Sequence, residues 1–400
     1  MDSKRISKFI NVATAIIIAG SFLAAIKCII VGFQIDEEYA FTLSYRLIKG
    51  DRLLQEVWDP HQTSAFLLSA LEWIWMKVTG SSDYIVIWCR VATTVLHTLI
   101  CLYLYKTLGL FIDRSESSLI ALIVFNILPK NYIIPEFSLM MSWFLMLIVI
   151  CLLRIEYFKQ VEGASLRTAA LPVLLGLFSV GLILSYPSCV ILIPFIIIYL
   201  IIKRKDHTKG TLLIALSTMA ACAMAYMLYL LSYMSVAQLF DNAKEAIRAC
   251  GSHGDGLIGH LKVLGKDALV FAVGGAALAL ASFIVLGITY LIGWVKDKKC
   301  GENKRDCKNY RFYLGIPVAL RFTLTATVIG LFVQVLLAAF PIIPMLYGYD
   351  NYYFFLIFLI PEVLYFIKYR PRKSGITFSL ILNFMGYISI MILTNMNSFR

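Results

Sequence analysis

The sequence predicts an all-α fold, a polytopic bundle of about eleven transmembrane helices with further helices in its first loop. Of the 400 residues, 60% are hydrophobic and only 15% are charged. Apolar runs of about 18 residues or more recur along the chain, and each can cross a hydrocarbon core of roughly 30 Å at about 1.5 Å per residue. Because these runs lack the period-two alternation of a β-barrel, helices are the spanning structure that remains.

The predicted spans are the apolar runs that polar loops separate. Pro135 and Pro187 divide neighbouring runs, because proline interrupts the interior of a helix. No internal repeat is visible, so residues 1–400 are treated as a single domain. The predicted spans are 9–33, 84–106, 117–135, 137–155, 169–185, 187–202, 211–235, 268–294, 312–345, 351–368 and 376–394.

Loop charges predict a multi-pass protein of the cell membrane with a cytoplasmic N-terminus. Residues 296–311 carry seven basic and three acidic side chains, whereas residues 34–83 carry four basic and eight acidic ones. Basic loops stay on the cytoplasmic side. The first loop, 34–83, and a second polar loop, 236–267, are therefore expected to be extracytoplasmic. The net charge of +12 lies mostly in short loops, which argues against nucleic acid as a partner.

Two helices are expected on the membrane surface within the first loop. Residues 37–49 show helical apolar faces and end in Lys49-Gly50, a good helix stop. Residues 64–78 are apolar all round and include two tryptophans. At about 22 Å this second run is too short to cross, and its tryptophans suit headgroup depth.

Charged side chains near the first two spans are the first candidates for chemistry. Asp36, Glu37 and Glu38 are consecutive at the end of the first span. They need a cation, basic neighbours or a helix N-terminus to offset their repulsion, or they form a solvated capping cluster. Arg90 lies about 9 Å inside the second span, where it either meets a lipid phosphate or snorkels to the surface. His97, deeper still, is expected to be a hydrogen-bonded core residue.

Three short motifs follow one another in the first loop. They are Ile35-Asp36-Glu37, then Tyr45 to Asp51, then Trp58-Asp59-Pro60-His61. In this order and topology they resemble the C-type (GT-C) glycosyltransferases, notably protein O-mannosyltransferases and lipid A aminoarabinose transferases. The resemblance is clearest over residues 30–140. It implies a membrane enzyme that takes a sugar from a polyprenyl-phosphate carrier.

The resemblance also implies a mechanism. Asp36 would be the general base that removes the acceptor proton, and Glu37 would position Asp36 or bind a cation. The donor would be a polyprenyl-phosphate-linked hexose or pentose in the membrane lipid. The acceptor would be a hydroxyl on a protein, a lipid or a cell-wall polymer, on the extracytoplasmic face. A single displacement would invert the sugar carbon.

Further site residues follow from matching positions in the family. Glu136, in a turn before the fourth span, would position Asp36 or bind a cation, although it equally suits a helix cap. Asp59, His61 and Glu136 could hold a divalent cation as cofactor, or form a hydrogen-bonded loop.

The departing phosphate and the second loop supply the remaining candidates. Arg90, with Lys130, would offset the charge of the departing phosphate. The pair Ser252-His253 resembles a Ser-His pair in the corresponding loop of some relatives. This resemblance implies that His253 binds substrate.

Two other classes of protein are compatible with this composition. A transporter or lipid flippase would also have many spans and buried charges, but repeated halves with broken midplane helices are not visible. A non-catalytic member of the same fold is the other alternative. Apart from the site, an ion pair between Arg321 and Glu362 is expected from their similar depths in adjacent spans.

Overall fold

The computed structural model describes the chain in separate stretches. These are 18–23, 35–58, 61–112, 114–126, 133–161, 166–202, 208–251 and 280–295, with shorter pieces or single positions between 12 and 30, between 269 and 277, and at 325 and 329. The described residues from 18 to 251 belong to one compact unit, and Leu280–Val295 belongs to a second unit. Every regular element named along the described stretches is helical, which confirms the all-α prediction there.

Two helices, α1 (Ile35–Lys49) and α2 (Ala65–Thr79), fill the loop that follows the first apolar run. Helix α1 ends because Gly50 adopts a φ of +101°, a conformation that a residue with a side chain rarely takes. Helix α2 ends at Gly80, whose N–H donates to the carbonyl of Met76. The two helices pack against each other, and both lie within two residues of their predicted bounds.

The connection between α1 and α2 folds back into the structure. Leu53 and Val57 are completely buried in a cluster with Leu43 of α1 and Ala65 of α2. Leu230, far along the chain, completes this cluster. Burial of several apolar side chains fixes the connection, since each contributes about 1.5–3 kcal/mol when it leaves water.

The helices that follow make up the rest of this unit. A 3-10 turn, Pro187–Ile191, precedes α7. The helices are α3 (Ile85–Leu108), α4 (Arg114–Asn126), α5 (Phe137–Val161), α6 (Leu166–Ser185), α7 (Leu192–Ile202), α8 (Thr208–Leu231) and α9 (Val236–Gly251).

Three of the described helices are long and apolar enough to cross a membrane, which makes this a membrane protein. They contain the segments Ile85–Leu108, Phe137–Phe158 and Lys209–Leu231. Shorter apolar helices run over Ile18–Ile30, Ala170–Ser185, Cys189–Ile202 and Leu280–Val295.

Contacts between neighbouring helices connect the helices of the first loop to the rest of the bundle. Helix α6 packs between α5 and α8, and α3 packs against α4 and α5. Helix α2 contacts α3, so the α1–α2 pair is attached to the first long helix after it. Helix α9 follows α8 directly and contacts it.

Some predicted bounds differ from the structure. Of the predicted span 117–135, residues up to Asn126 lie in α4 and residues 133–135 lie outside any helix, while residues 127–132 are outside the described part of the chain. Pro135 explains this, because it has no N–H to donate and disfavours helix in the residue before it.

Several predictions concern residues outside the described part of the chain. Apart from positions 325 and 329, the predicted spans 312–345, 351–368 and 376–394 lie outside the described residues. The predicted Arg321–Glu362 pair lies there as well. The count of about eleven spans therefore stays a prediction.

Candidate functional site

The acidic cluster that the sequence singles out begins helix α1. Asp36 is the second residue of this helix, and the structure describes its backbone only. Backbone N–H groups in the first turn of a helix have no intrahelical partner, so this end of α1 favours a negative charge. Glu38 is exposed on the same turn. The helix start thus supplies one of the compensations expected for three adjacent carboxylates.

Glu37 forms a buried ion pair with Arg90 of α3. Arg90 donates from Nε to Glu37 Oε1 at 2.7 Å and from Nη2 to Glu37 Oε2 at 2.6 Å. The two residues are 0% and 3% exposed. Two parallel hydrogen bonds between a guanidinium and a carboxylate make the strongest kind of side-chain pair, and they fix its orientation as well as its distance.

This pair connects three parts of the chain. Arg90 also donates from Nη1 to the carbonyl of Ile29, in the first apolar run, at 2.9 Å. The first run, α1 and α3 therefore meet at one guanidinium. Basic neighbours are thus the compensation that Glu37 receives. The predicted contact of Arg90 with a lipid phosphate stays a prediction.

Glu136 caps the start of helix α5. Its Oε1 accepts hydrogen bonds from the backbone N–H of Leu139, at 2.9 Å, and from the hydroxyl of Ser138. The side chain is 3% exposed. A carboxylate at a helix N-terminus satisfies an unpaired N–H and meets the positive end of the helix dipole. The helix-cap interpretation of Glu136 is confirmed, and its role toward substrate stays a prediction.

His61 lies against the residue that follows Glu136. Its ring stacks on Phe137 with centroids 4.3 Å apart and planes 16° apart, and it also contacts the ring of Tyr186 at 4.8 Å. Thr63 donates its hydroxyl hydrogen to the carbonyl of Leu184, at the end of α6. The segment after Pro60 is thereby docked where α5 begins and α6 ends. Two of the predicted site residues, His61 and Glu136, share this locality.

The predicted metal ligands are only partly described. Asp59 lies outside the described residues. Within the described stretches, no three His, Cys, Asp or Glu side chains are grouped so that they could hold a metal ion. Lys130 and His253 also lie outside the described residues, so neither is placed relative to Glu37.

Sequence reasoning missed Glu72. This glutamate of α2 is 1% exposed, and its Oε1 accepts the hydroxyl of Ser44 of α1. Burial raises the pKa of Glu72 from 4.5 to about 7, an effect that the Ser44 hydrogen bond partly opposes. A detectable signal was present, because Glu72 is the one acidic residue in the apolar run 64–78.

His97 is a hydrogen-bonded core residue, as predicted. Trp143 donates its indole N–H to His97 Nδ1 at 2.9 Å, and His97 Nε2 lies 3.1 Å from the carbonyl oxygen of Phe125. Because an indole N–H can only donate, Nδ1 accepts and Nε2 carries the proton. The imidazole therefore joins α3, α4 and α5.

Helix α9 docks on the connection between α1 and α2. Asn242 donates from Nδ2 to the carbonyl of Leu54 at 2.7 Å, and the hydroxyl of Tyr233 donates to the carbonyl of Leu53 at 3.1 Å. The two loops that the sequence predicts on one side of the membrane are thus in direct contact.

Comparison with known proteins gives little beyond this geometry. No protein-family profile matches the sequence, and no curated protein matches it. The crystal structure of the oligosaccharyltransferase of Archaeoglobus fulgidus, in complex with zinc and sulfate, matches with a TM-score of 0.41 at 14% identity. The match covers 96% of this chain and 53% of that enzyme, so the chain spans about half its length. The function has to be argued from the site itself.

Proposed function

We propose that the chain is a membrane glycosyltransferase that moves a sugar from a polyprenyl-phosphate carrier to a hydroxyl acceptor. The observation that carries the proposal is the acidic motif at the start of α1, immediately after an apolar run. Glu37 in this motif is held in a buried bidentate pair with Arg90. An acidic motif with one carboxylate held in place beside an apolar run is a suitable position for a base that acts on a lipid-linked donor.

Asp36 is proposed as the general base. It precedes Glu37, whose side chain is held by Arg90, and Arg90 also donates to the carbonyl of Ile29. A base must lie within hydrogen-bonding reach of the proton it removes, so a restrained helix start is a suitable place for one. In this scheme Glu37 and Arg90 position Asp36 and do not touch the acceptor.

The proposed reaction is a single displacement. The acceptor oxygen attacks the anomeric carbon of the sugar and loses its proton to Asp36. The bond from that carbon to the phosphate oxygen breaks, and its electron pair leaves on the polyprenyl phosphate. Because the leaving group is the anion of a fairly strong acid, it needs charge stabilisation rather than protonation.

The proposed reaction includes no step at a divalent cation. Glu136 Oε1 is already bonded to the N–H of Leu139, and the ring of His61 is stacked on Phe137. In the part of the chain that the structure describes, these two residues do not make a metal site without Asp59. Glu136 and His61 are instead proposed to shape the wall of the site near Asp36.

Transfer from synthetic donors tests the proposal. The purified full chain would be reconstituted in liposomes with a mannosyl or aminoarabinosyl polyprenyl phosphate, and a total membrane extract would supply acceptors. We expect one donor to be consumed, and Asp36→Asn to slow its consumption by about 10² to 10⁴, the usual contribution of a general base. Asp83→Asn, an exposed acid of the same loop, is the matched control.

Each outcome decides one part of the proposal. Wild-type protein that consumes neither donor overturns the assignment as this kind of glycosyltransferase. Consumption at the wild-type rate by Asp36→Asn overturns the role of Asp36 as base and leaves the transfer activity standing.

A further inference from the structure

Glu72 is a buried carboxyl group that has no basic partner among the described residues. It lies in the middle of α2 at 1% exposure, and no described group forms a hydrogen bond with its Oε2. Within the described stretches, no basic side chain forms a salt bridge with it. An ionised carboxylate in such a place loses its hydration and gains little in return.

The hydrogen bonds around Ser44 can accommodate a neutral Glu72 as well as an ionised one that accepts from the Ser44 hydroxyl. The Ser44 hydroxyl oxygen contacts two acceptors, the carbonyl of Phe41 at 2.9 Å and Oε1 of Glu72. A hydroxyl carries a single hydrogen, so it can bridge only one of these contacts well. If Glu72 carries a proton on Oε1, it donates to Ser44, and Ser44 donates to Phe41. Both contacts are then bridged by a hydrogen.

The other groups around Glu72 do not offset a negative charge. On α3, the thiol of Cys89 is completely buried and close enough to interact electrostatically with Glu72. Arg90, also on α3, is engaged by Glu37 of α1. On α2 itself, Lys77 is exposed and lies over the ring of Trp73, 5.9 Å from its centroid. Burial accordingly raises the pKa of Glu72 to about 7.

We propose that Glu72 is a proton-dependent latch that holds α2 against α1 when neutral and loosens this contact when ionised. The latch rests on the geometry of Glu72 alone. Its consequence for sugar transfer, through the position of Asp36 on α1, rests on the proposed function.

Loosening would expose a specific set of apolar side chains. Leu68 of α2 packs with Cys89 of α3 and Ile134, and all three are completely buried. The Ser69 hydroxyl also lies between the helices, 2.9 Å from the carbonyl oxygen of Ser44 and 2.8 Å from that of Ala65, and its one hydrogen can serve either acceptor. Water that reaches the ionised carboxylate must part α1 from α2 beside this cluster. Cys89 is therefore a native reporter of the open latch.

Thiol modification of the full-length protein measures the opening. Purified protein in liposomes would be treated with methyl methanethiosulfonate, and modification of Cys89 relative to Cys222 would be read by peptide mass spectrometry. Cys222 is a half-buried thiol on α8, so the ratio largely removes the effect of pH on thiol reactivity. We expect the ratio to rise about tenfold between pH 6 and pH 8, since opening is linked to release of one proton.

Two variants complete the test. Glu72→Gln cannot ionise and is expected to keep the ratio constant from pH 6 to pH 8. Glu245→Gln, which removes an exposed carboxylate from α9, is expected to behave like the wild type. A constant ratio in the wild type, or an equal rise in Glu72→Gln, overturns the latch. If Glu72→Gln does not fold, the pH dependence of the Cys89-to-Cys222 ratio in the wild type is enough to support or overturn the latch. Neither measurement depends on a transferase assay.

Discussion

Glu37 and Glu72 lie on the two helices of one pair and are equally buried, at 0% and 1% exposure, yet their partners differ completely. Both oxygens of Glu37 accept from the guanidinium of Arg90. Among the described residues, Glu72 has the hydroxyl of Ser44 on one oxygen and no hydrogen-bond partner on the other. The same side chain at the same degree of burial is thus placed in two different electrostatic situations.

The difference shows that the partner, more than burial, decides what a carboxyl group does. A buried ion is tolerated when an opposite charge and hydrogen bonds replace its hydration. Glu37 meets that condition and can restrain the start of α1 as a charge. Glu72 does not, and because its pKa is raised to about 7, its protonated state is the less expensive one below about that pH.

The largest expected effect comes from breaking the Glu37–Arg90 pair. Glu37→Gln should lower the free energy of unfolding by about 3–5 kcal/mol, because it leaves the guanidinium buried without a counter-charge. Arg90→Met should cost a similar amount. The double variant should recover much of the loss, since neither charge then remains. Denaturant unfolding in detergent measures all three, and losses in the double variant that equal the sum of the singles would show that no pair exists.

The substitution of glutamine for glutamate at Glu72 should raise the free energy of unfolding at pH 8, whereas at Glu37 it should lower it. The pKa of Glu72 is raised from 4.5 to about 7, so stability from the bound proton is complete below about pH 4.5 and lost as pH rises through about 7. At pH 8, Glu72→Gln should therefore stabilise the protein, by on the order of 3 kcal/mol at most. At pH 5 the gain should be much smaller. Thermal unfolding at the two pH values measures this, and equal effects at both would refute a raised pKa.

The smallest expected effect is at Glu136, whose described partners are hydrogen-bond donors at a helix start. Glu136→Ala removes the cap of α5 and should cost about 0.5–2 kcal/mol. Glu136→Gln keeps a carbonyl oxygen in place of Oε1 and should cost less. Thermal unfolding compares the two variants, and an unchanged midpoint for Glu136→Ala would remove Glu136 from the role of cap.

The helices of the first loop could be predicted from local signals. The stop at Lys49-Gly50 and the short apolar run 64–78 each carry their own boundaries. The span 117–135 was predicted too long, because its apolar composition continues through Pro135 while its backbone cannot. Composition alone does not report where an apolar segment stops being helical.

The site was partly predictable, for a related reason. Asp36 and Glu37 stand out as adjacent carboxylates and, like Glu136 and His61, follow from the family resemblance, whereas Arg90 follows from its charge and depth and the cap at Glu136 from the turn before α5. The pairing of Glu37 with Arg90 joins residues 53 positions apart, so no local pattern shows it. The burial of Glu72 depends on the packing of α1 and α3 around α2, which is equally absent from the sequence of α2.

The contrast between the two carboxyl groups is tested most directly by infrared difference spectroscopy at pH 6, since carboxylic acids and carboxylates absorb at different frequencies. The wild-type spectrum minus that of Glu72→Gln should contain a carboxylic-acid carbonyl band. The wild-type spectrum minus that of Glu37→Gln should contain carboxylate bands. Carboxylate bands in both difference spectra would contradict the assignment of Glu72 as a neutral acid at pH 6. The two equally buried groups would then have the same protonation state despite their different partners.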